Sequence, residues 1–153
     1  MPLYRESKTV AGTNVHSFFV AGDPRPQGSK RLVRLRNGRT AMIDASKGLK
    51  PWRIEIARQA QRHSQRLSDD VRVDMLFVFA RPKSHFNSRG ELRPNAPRRP
   101  RKLDLDKLAR AVCDALTGVA YDDDRQVAIL VAERRYTDSE EHQQGVRISV
   151  CNI

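Results

Sequence analysis

The stretch VRVDMLFVFA (71–80) constrains the fold more than any other part of the chain. Val71, Val73, Met75, Phe77 and Phe79 alternate along one face, and from Leu76 onward the other face turns apolar as well. Successive strand side chains point to opposite sides of a sheet, so a strand apolar on both sides belongs at the centre of a sheet with a two-sided core.

The remaining patterns supply its neighbours. VHSFFVAG (15–22) reads as a strand that runs into GDPRPQGSK, where Pro24 and Pro26 prevent a helix. Asn37-Gly38, set between two short runs in RLVRLRNGRTAMI, is the sequence preference of a tight hairpin turn that needs positive φ. Over 51–67, Trp52, Ile56, Ala60 and Leu67 follow helical spacing, with Pro51 at the first position and His63 on the same stripe as an interface histidine. Leu105, Leu108, Val112 and Leu116 mark one face of a second helix, predicted over 104–117 and closed by Gly118. QVAILVAERRY (126–136), apolar on both faces at its start, reads as a buried strand, and GVRISVC (145–151) as a one-sided strand. A chain of 153 residues can bury one real core. The order strand, hairpin, helix, strand, loop, helix, strand, strand therefore predicts a single α+β domain over 1–153, a mixed β-sheet packed with two main helices.

Residues 81–102 break the pattern. They hold four prolines, eight Lys or Arg and one acid, with no apolar periodicity, and are expected to form a mobile basic loop extending to about 103. Structureless loops of this length inside a compact domain usually serve binding. Phe86 within it is a candidate wedge between bases, against the commoner reading of a packed or disordered ring. The formal net charge of +11 favours a polyanionic partner. Lys30, Arg31, Arg98, Arg99, Arg101 and Lys102 are the candidate phosphate contacts, each weighed against a simple solvent-facing role. No run approaches the roughly 20 apolar residues of a membrane helix, and the polar start MPLYRESKTV lacks a secretory segment, which places the chain in the cytoplasm without a membrane partner. Cys113 and Cys151 lie in apolar segments without metal-binding spacing and read as buried thiols.

Against this cationic background, RKLDLDKLARAVCDALTGVAYDDDRQV (101–127) gathers six aspartates. Asp104 stands at the expected helix N-cap and Asp106 in the first turn, where free amides and the helix dipole favour ionised carboxylates. Asp106, Arg110 and Asp114 share an i, i+4, i+8 line that an ion-paired solvent face would also explain, and Asp114 reads as structural. Asp122, Asp123 and Asp124 repel one another unless a cation, basic side chains or solvent offsets them. If the helix packs beside the strand that follows it, Asp123 or Asp124 comes near Asp104 and Asp106. Such a carboxylate nest suits Mg²⁺, which takes one or two carboxylates and fills its other positions with water and phosphate oxygens. The combination of cationic surface and acidic metal site is what a nuclease requires. A calcium EF-hand loop is excluded, because Asp122 to Asp124 are contiguous and lack the central glycine.

LDLDKLARAVCDALTGVAYDDDRQV resembles the RusA-type Holliday junction resolvases, whose motif has two aspartates one residue apart at a helix start, a basic residue one turn later, DAL near the helix end and paired aspartates before a strand. GDPRPQGSKR is similar to the family's Gly/Pro-rich basic segment after the first strand. The resemblance implies a RusA-like fold and a homodimeric, Mg²⁺-dependent endonuclease, with Mn²⁺ as a substitute. It would cut four-way DNA junctions symmetrically in recombination and repair, in bacterial or phage-infected cells, without a small-molecule cofactor. It assigns catalytic roles to Asp104, Asp106, Asp124 and Arg110, and metal-holding roles to Asp104, Asp106, Asp123 and Asp124. Asp122 is an extra. Arg110 stands where the family usually has a lysine, and Lys107 where an asparagine often follows the second aspartate. Arginine keeps the positive charge but is a poor proton donor because its pKa is too high. The competing expectation is a non-catalytic basic protein binding branched or duplex nucleic acid, its aspartates serving as cap and solvated turn.

Overall fold

In the computed structural model, which describes residues 14–28, 30–44, 47–137 and 143–153, the two-sided apolar strand lies inside a sheet. The elements run β1 (Val15–Ala21), β2 (Lys30–Arg34), β3 (Thr40–Asp44), α1 (Leu49–His63), β4 (Val71–Phe79), α2 (Leu105–Leu116), β5 (Val127–Tyr136) and β6 (Gly145–Asn152). Four strands form a mixed sheet in the order β1-β6-β4-β5, with β4 antiparallel to β6 and parallel to β5. A parallel pair needs a long crossover, and residues 80–126 with α2 provide it. β2 and β3 pair only with each other, Arg31 opposite Ile43 and Leu32 opposite Met42, as a separate ribbon turned at Gly38 with φ 80°.

Both helices cover the sheet face that carries Val71, Val73, Met75 and Phe77. Trp52, Ile56 and Ala60 of α1 and Leu108, Val112 and Leu116 of α2 join them in one core, with Phe18, Val20, Val146, Ile148 and Val150 from the neighbouring strands. Leu76 and Val78, on the opposite side of β4, are buried too, so the double apolar pattern of this strand has its predicted meaning. The molecule is a mixed α+β domain.

Three details differ from the sequence reading. α1 starts two residues earlier, at Leu49 after Gly48 in the left-handed conformation, and ends at His63. Pro51 is its third residue, still among the positions whose amides have no intrahelical acceptor. Leu67 leaves the helix to bridge Tyr121, its amide donating to the Ala120 carbonyl at 2.9 Å. β5 is an edge strand, not a buried one: Ile129, Leu130 and Val131 are 39–49 % exposed, since β4 covers one edge only. Residues 81–102 carry a short 3₁₀ turn (Lys83–His85) and local ties, with Arg81 stacked 4.2 Å over Tyr136 and donating to the Pro97 carbonyl at 2.8 Å. Phe86 is half-buried and bridges Leu92. Both cysteines are free, Cys113 buried and Cys151 half-buried. No helix among the described residues is long and apolar enough to cross a membrane, and the polar N-terminal segment lies outside the described residues.

Gly145 opens β6 opposite Ala21, and a Cβ built there would overlap the Val20 carbonyl oxygen and the Phe19 ring. The obstacle is backbone, which cannot rotate away. Gly145→Ala should therefore cost about 1–3 kcal/mol of stability, the usual penalty of overpacking, measurable as a lower urea midpoint; an unchanged midpoint would show that β1 and β6 separate freely at this end.

Candidate metal and nucleic-acid site

α2 is built to display carboxylates. Leu108, Val112 and Leu116 anchor its buried face, which leaves Asp106, Arg110 and Asp114 along the side turned toward β5. These three, Asp124 from the turn before β5, Gln27 and Gly28 from the segment after β1, and Val127 and Leu130 line one cleft of about 510 Å³. The Gln27 amide donates to the Lys107 carbonyl at 2.9 Å, which ties the 23–28 segment to the first turn of α2.

The turn that presents Asp124 is fixed by Gln126. Its side-chain oxygen accepts from the amides of Asp122 at 2.8 Å and Asp123 at 3.0 Å, while its nitrogen donates to the carbonyls of Leu67 and Asp69. Behind it, Tyr121 is fully buried and donates its hydroxyl to the Cys113 carbonyl at 3.1 Å, which locks the end of α2 to the turn. Burial pushes the Tyr121 phenol and the Cys113 thiol above their ordinary pKa values, so both stay neutral and structural.

Ion pairing sorts the six aspartates. Asp104 occupies the N-cap position of α2, but its side chain caps no amide and pairs with Lys107 at 3.0 Å. Asp122 pairs with Arg66 at 3.2 Å and Asp123 with Arg125 at 3.0 Å. Asp106, Asp114 and Asp124 form no ion pair among the described residues, and these are the three that line the cleft. The predicted residues Asp106, Asp124 and Arg110 are thus brought together, whereas Asp104 and Asp123 do not line the cleft. Gln27 and Asp114 are additions. The i, i+4, i+8 line already sets Asp114 on the helix side of Asp106, although the sequence gives it a structural role; Gln27 lies in the quoted GDPRPQGSKR segment, but only the tertiary path of that loop singles it out.

The donor set suits a hard cation. Two exposed carboxylates, Asp106 and Asp124, face the same space as the Gln27 Oε1, a buried acceptor without a hydrogen-bond partner among the described residues. Among those residues no three His, Cys, Asp or Glu side chains are close enough to form a complete cage.

Asp123 behaves differently. Hydrogen bonds from the Arg125 side chain and then from its amide hold the carboxyl well below the usual carboxylate range. A depressed folded pKa contributes stability above the unfolded value of about 3.9, and the contribution is lost as pH falls through the folded value. In a carboxyl NMR titration Asp123 should therefore remain ionised at about pH 3, where ordinary carboxylates are protonated; a midpoint near 4 would mean that the Arg125 contact does not persist in solution.

The candidate DNA contacts form two groups. Arg31 is exposed on the ribbon, while the Lys30 side chain lies outside the described residues. Arg98, Arg101 and Lys102 are exposed, and Arg99 pairs with Glu133 at 2.9 Å.

A family model described as Endodeoxyribonuclease RusA matches residues 21–150. A Bacillus subtilis (strain 168) protein, described as uncharacterized protein YqaN, is 32 % identical over an alignment of 131 positions that covers 79 % of this chain and 87 % of the relative. The match encloses the cleft, the ribbon and the basic loop.

Proposed function

The chain belongs to the RusA endodeoxyribonuclease family, and from that premise we propose that it is a Mg²⁺-dependent endonuclease that resolves four-way DNA junctions as a twofold dimer. The observation that carries this reading is the convergence, in one cleft of a strongly cationic chain, of Asp106 and Asp124 with the Gln27 side-chain oxygen, the carboxylates without an ion pair and the oxygen without a hydrogen-bond partner among the described residues.

Asp106 and Asp124 would hold the metal, with Asp104 and Asp123 able to join only by giving up Lys107 and Arg125. When bound there, Mg²⁺ supplies charge neutralisation at the scissile phosphate and a water of lowered pKa. The chain's own groups position the strand. Arg110, on the same helix side as Asp106, would set a permanent positive charge beside the phosphoryl oxygens on which negative charge develops, and would stabilise that charge without donating a proton. Arg31 on the ribbon and Arg98, Arg101 and Lys102 before α2 would grip backbone phosphates of the bound strands.

The substrate class is tested by incubating the protein with labelled four-way junction, forked and linear duplex DNA of matched sequence. Cutting confined to the four-way junction supports the proposal; equal cutting of the linear duplex would make it a general nuclease. The backbone grip has its own test. Arg31→Ala should weaken binding to all sequences alike and make the slope of log K against log salt shallower by about one unit, as expected for a lost phosphate contact. An unchanged slope would remove the ribbon from the interface.

A further inference from the structure

The geometry points to a second DNA subsite: a pocket that receives one unpaired base from the strand held in the cleft. This rests on the nucleic-acid reading above but not on catalysis. The pocket has a volume of about 370 Å³ and opens where the parallel strands β4 and β5 end, at Phe79 and Tyr136. The carboxyl ends of neighbouring parallel strands are a recurrent place for ligands, and the volume lies within the range of about 300–1,000 Å³ typical of small-molecule sites.

Its lining combines two chemistries. Phe79, Leu103 and Tyr136 supply apolar wall. Arg101 and Lys102 stand at the rim, exposed and without an ion pair among the described residues. The acid in the lining, Asp23, is already offset by Arg25. A ligand that satisfies both parts has a flat apolar ring joined to an anion, which describes a nucleotide within a DNA strand; a bare phosphate would leave the apolar wall unused. One polar group is also held ready. The Gln144 side-chain oxygen accepts from the Ala80 amide at 2.8 Å and its nitrogen donates one hydrogen to Asp23 at 3.2 Å, which among the described residues leaves the second N–H for an acceptor on a base edge.

The pocket adjoins the metal cleft through the chain itself. Residues 23–28 contribute Asp23 and Arg25 to the pocket and Gln27 and Gly28 to the cleft, and residues 101–107 contribute Arg101, Lys102 and Leu103 to one and Asp106 and Lys107 to the other. A strand laid along these two segments meets both. A base paired in a duplex cannot enter such a pocket, whereas one at an open branch point has already lost part of its stacking.

The test is a binding scan in EDTA, where no cutting occurs. Four-way junctions with a single abasic residue at successive positions along one strand are titrated with the wild-type protein by fluorescence anisotropy. Affinity should fall about tenfold at one position and stay level elsewhere, the loss expected for one stacked base. Leu103→Trp, which fills the cavity with apolar bulk, and Tyr136→Ala, which removes a wall, should each flatten the scan while binding to intact DNA persists. A flat scan with the wild-type protein overturns the proposal, as does a dip that a folded Leu103→Trp protein retains. A protein that cuts with Mg²⁺ but gives a flat scan has lost the pocket alone. One that never cuts but shows the dip has lost the nuclease reading alone.

Discussion

Asp106→Asn should abolish junction cleavage, lowering the rate by roughly 10³-fold or more, while leaving junction affinity within about twofold. The size follows from removing one of two carboxylates that would hold the metal, worth several kcal/mol of transition-state stabilisation at about 1.4 kcal/mol per factor of ten. The substitution is nearly isosteric and Asp106 is exposed in the first turn of α2, so folding should be unaffected. Its present environment contains no ion pair among the described residues, so no structural contact is broken. Binding should persist because the proposed phosphate contacts are the cations of the ribbon and the basic loop. Asp122→Asn is the control: its carboxylate already pairs with Arg66 away from the cleft lining, and cleavage should stay within about twofold on the scale of an exposed ion pair. Full Mg²⁺-dependent cutting by Asp106→Asn would remove the cleft from the mechanism.

The second large effect concerns stability. Phe77 is fully buried in the middle of β4, between the strand pairings to β5 and β6 and under both helices. Phe77→Ala removes the ring and leaves a cavity that the sheet backbone cannot collapse around, so the cost should be about 3–5 kcal/mol. For a chain of this size that corresponds to a drop in Tm on the order of 10 °C. The change should also release α2, whose Leu108 and Val112 belong to the same core, and with it the alignment of Asp106 to Asp124. A midpoint shifted by less than about 1 kcal/mol in urea would mean that the core is less tightly packed than these burials imply.

The double apolar alternation of 71–80 made β4 legible as a central strand, because burial on both faces leaves a direct mark on side-chain type. The 3, 4, 4 spacing and Gly118 did the same for α2. β5 misled for a related reason. Ile129, Leu130 and Val131 carry the composition of a covered strand, yet edge position is a property of the sheet, which no local pattern records. The ribbon turn at Asn37-Gly38 could be read from its chemistry, but its separation from the main sheet could not.

The candidate site was legible as a set of residue types and less so as a geometry. Two aspartates two apart on a helix point about 200° from each other, so Asp104 and Asp106 could not both face β5 from the same regular helix. Asp104 sits at the cap and answers Lys107 instead. In the run of three aspartates, the choice of Asp124 as the residue facing the cleft is made by Gln126 and Arg125, which engage Asp122 and Asp123. Long-range contacts to Leu67 and Asp69 complete that selection, and they belong to the folded chain alone.

The proposal that the cleft lined by Asp106 and Asp124 is a metal-dependent phosphodiesterase centre can be tested on one substrate. The most direct measurement labels the two equivalent strands of one four-way junction separately and follows both under single-turnover conditions with Mg²⁺ and with EDTA. Paired nicks at symmetric positions are expected with Mg²⁺, and intact strands in EDTA. A junction that is bound with steep salt dependence yet remains uncut in Mg²⁺ and in Mn²⁺ would contradict it, and would make the protein a binder of branched DNA.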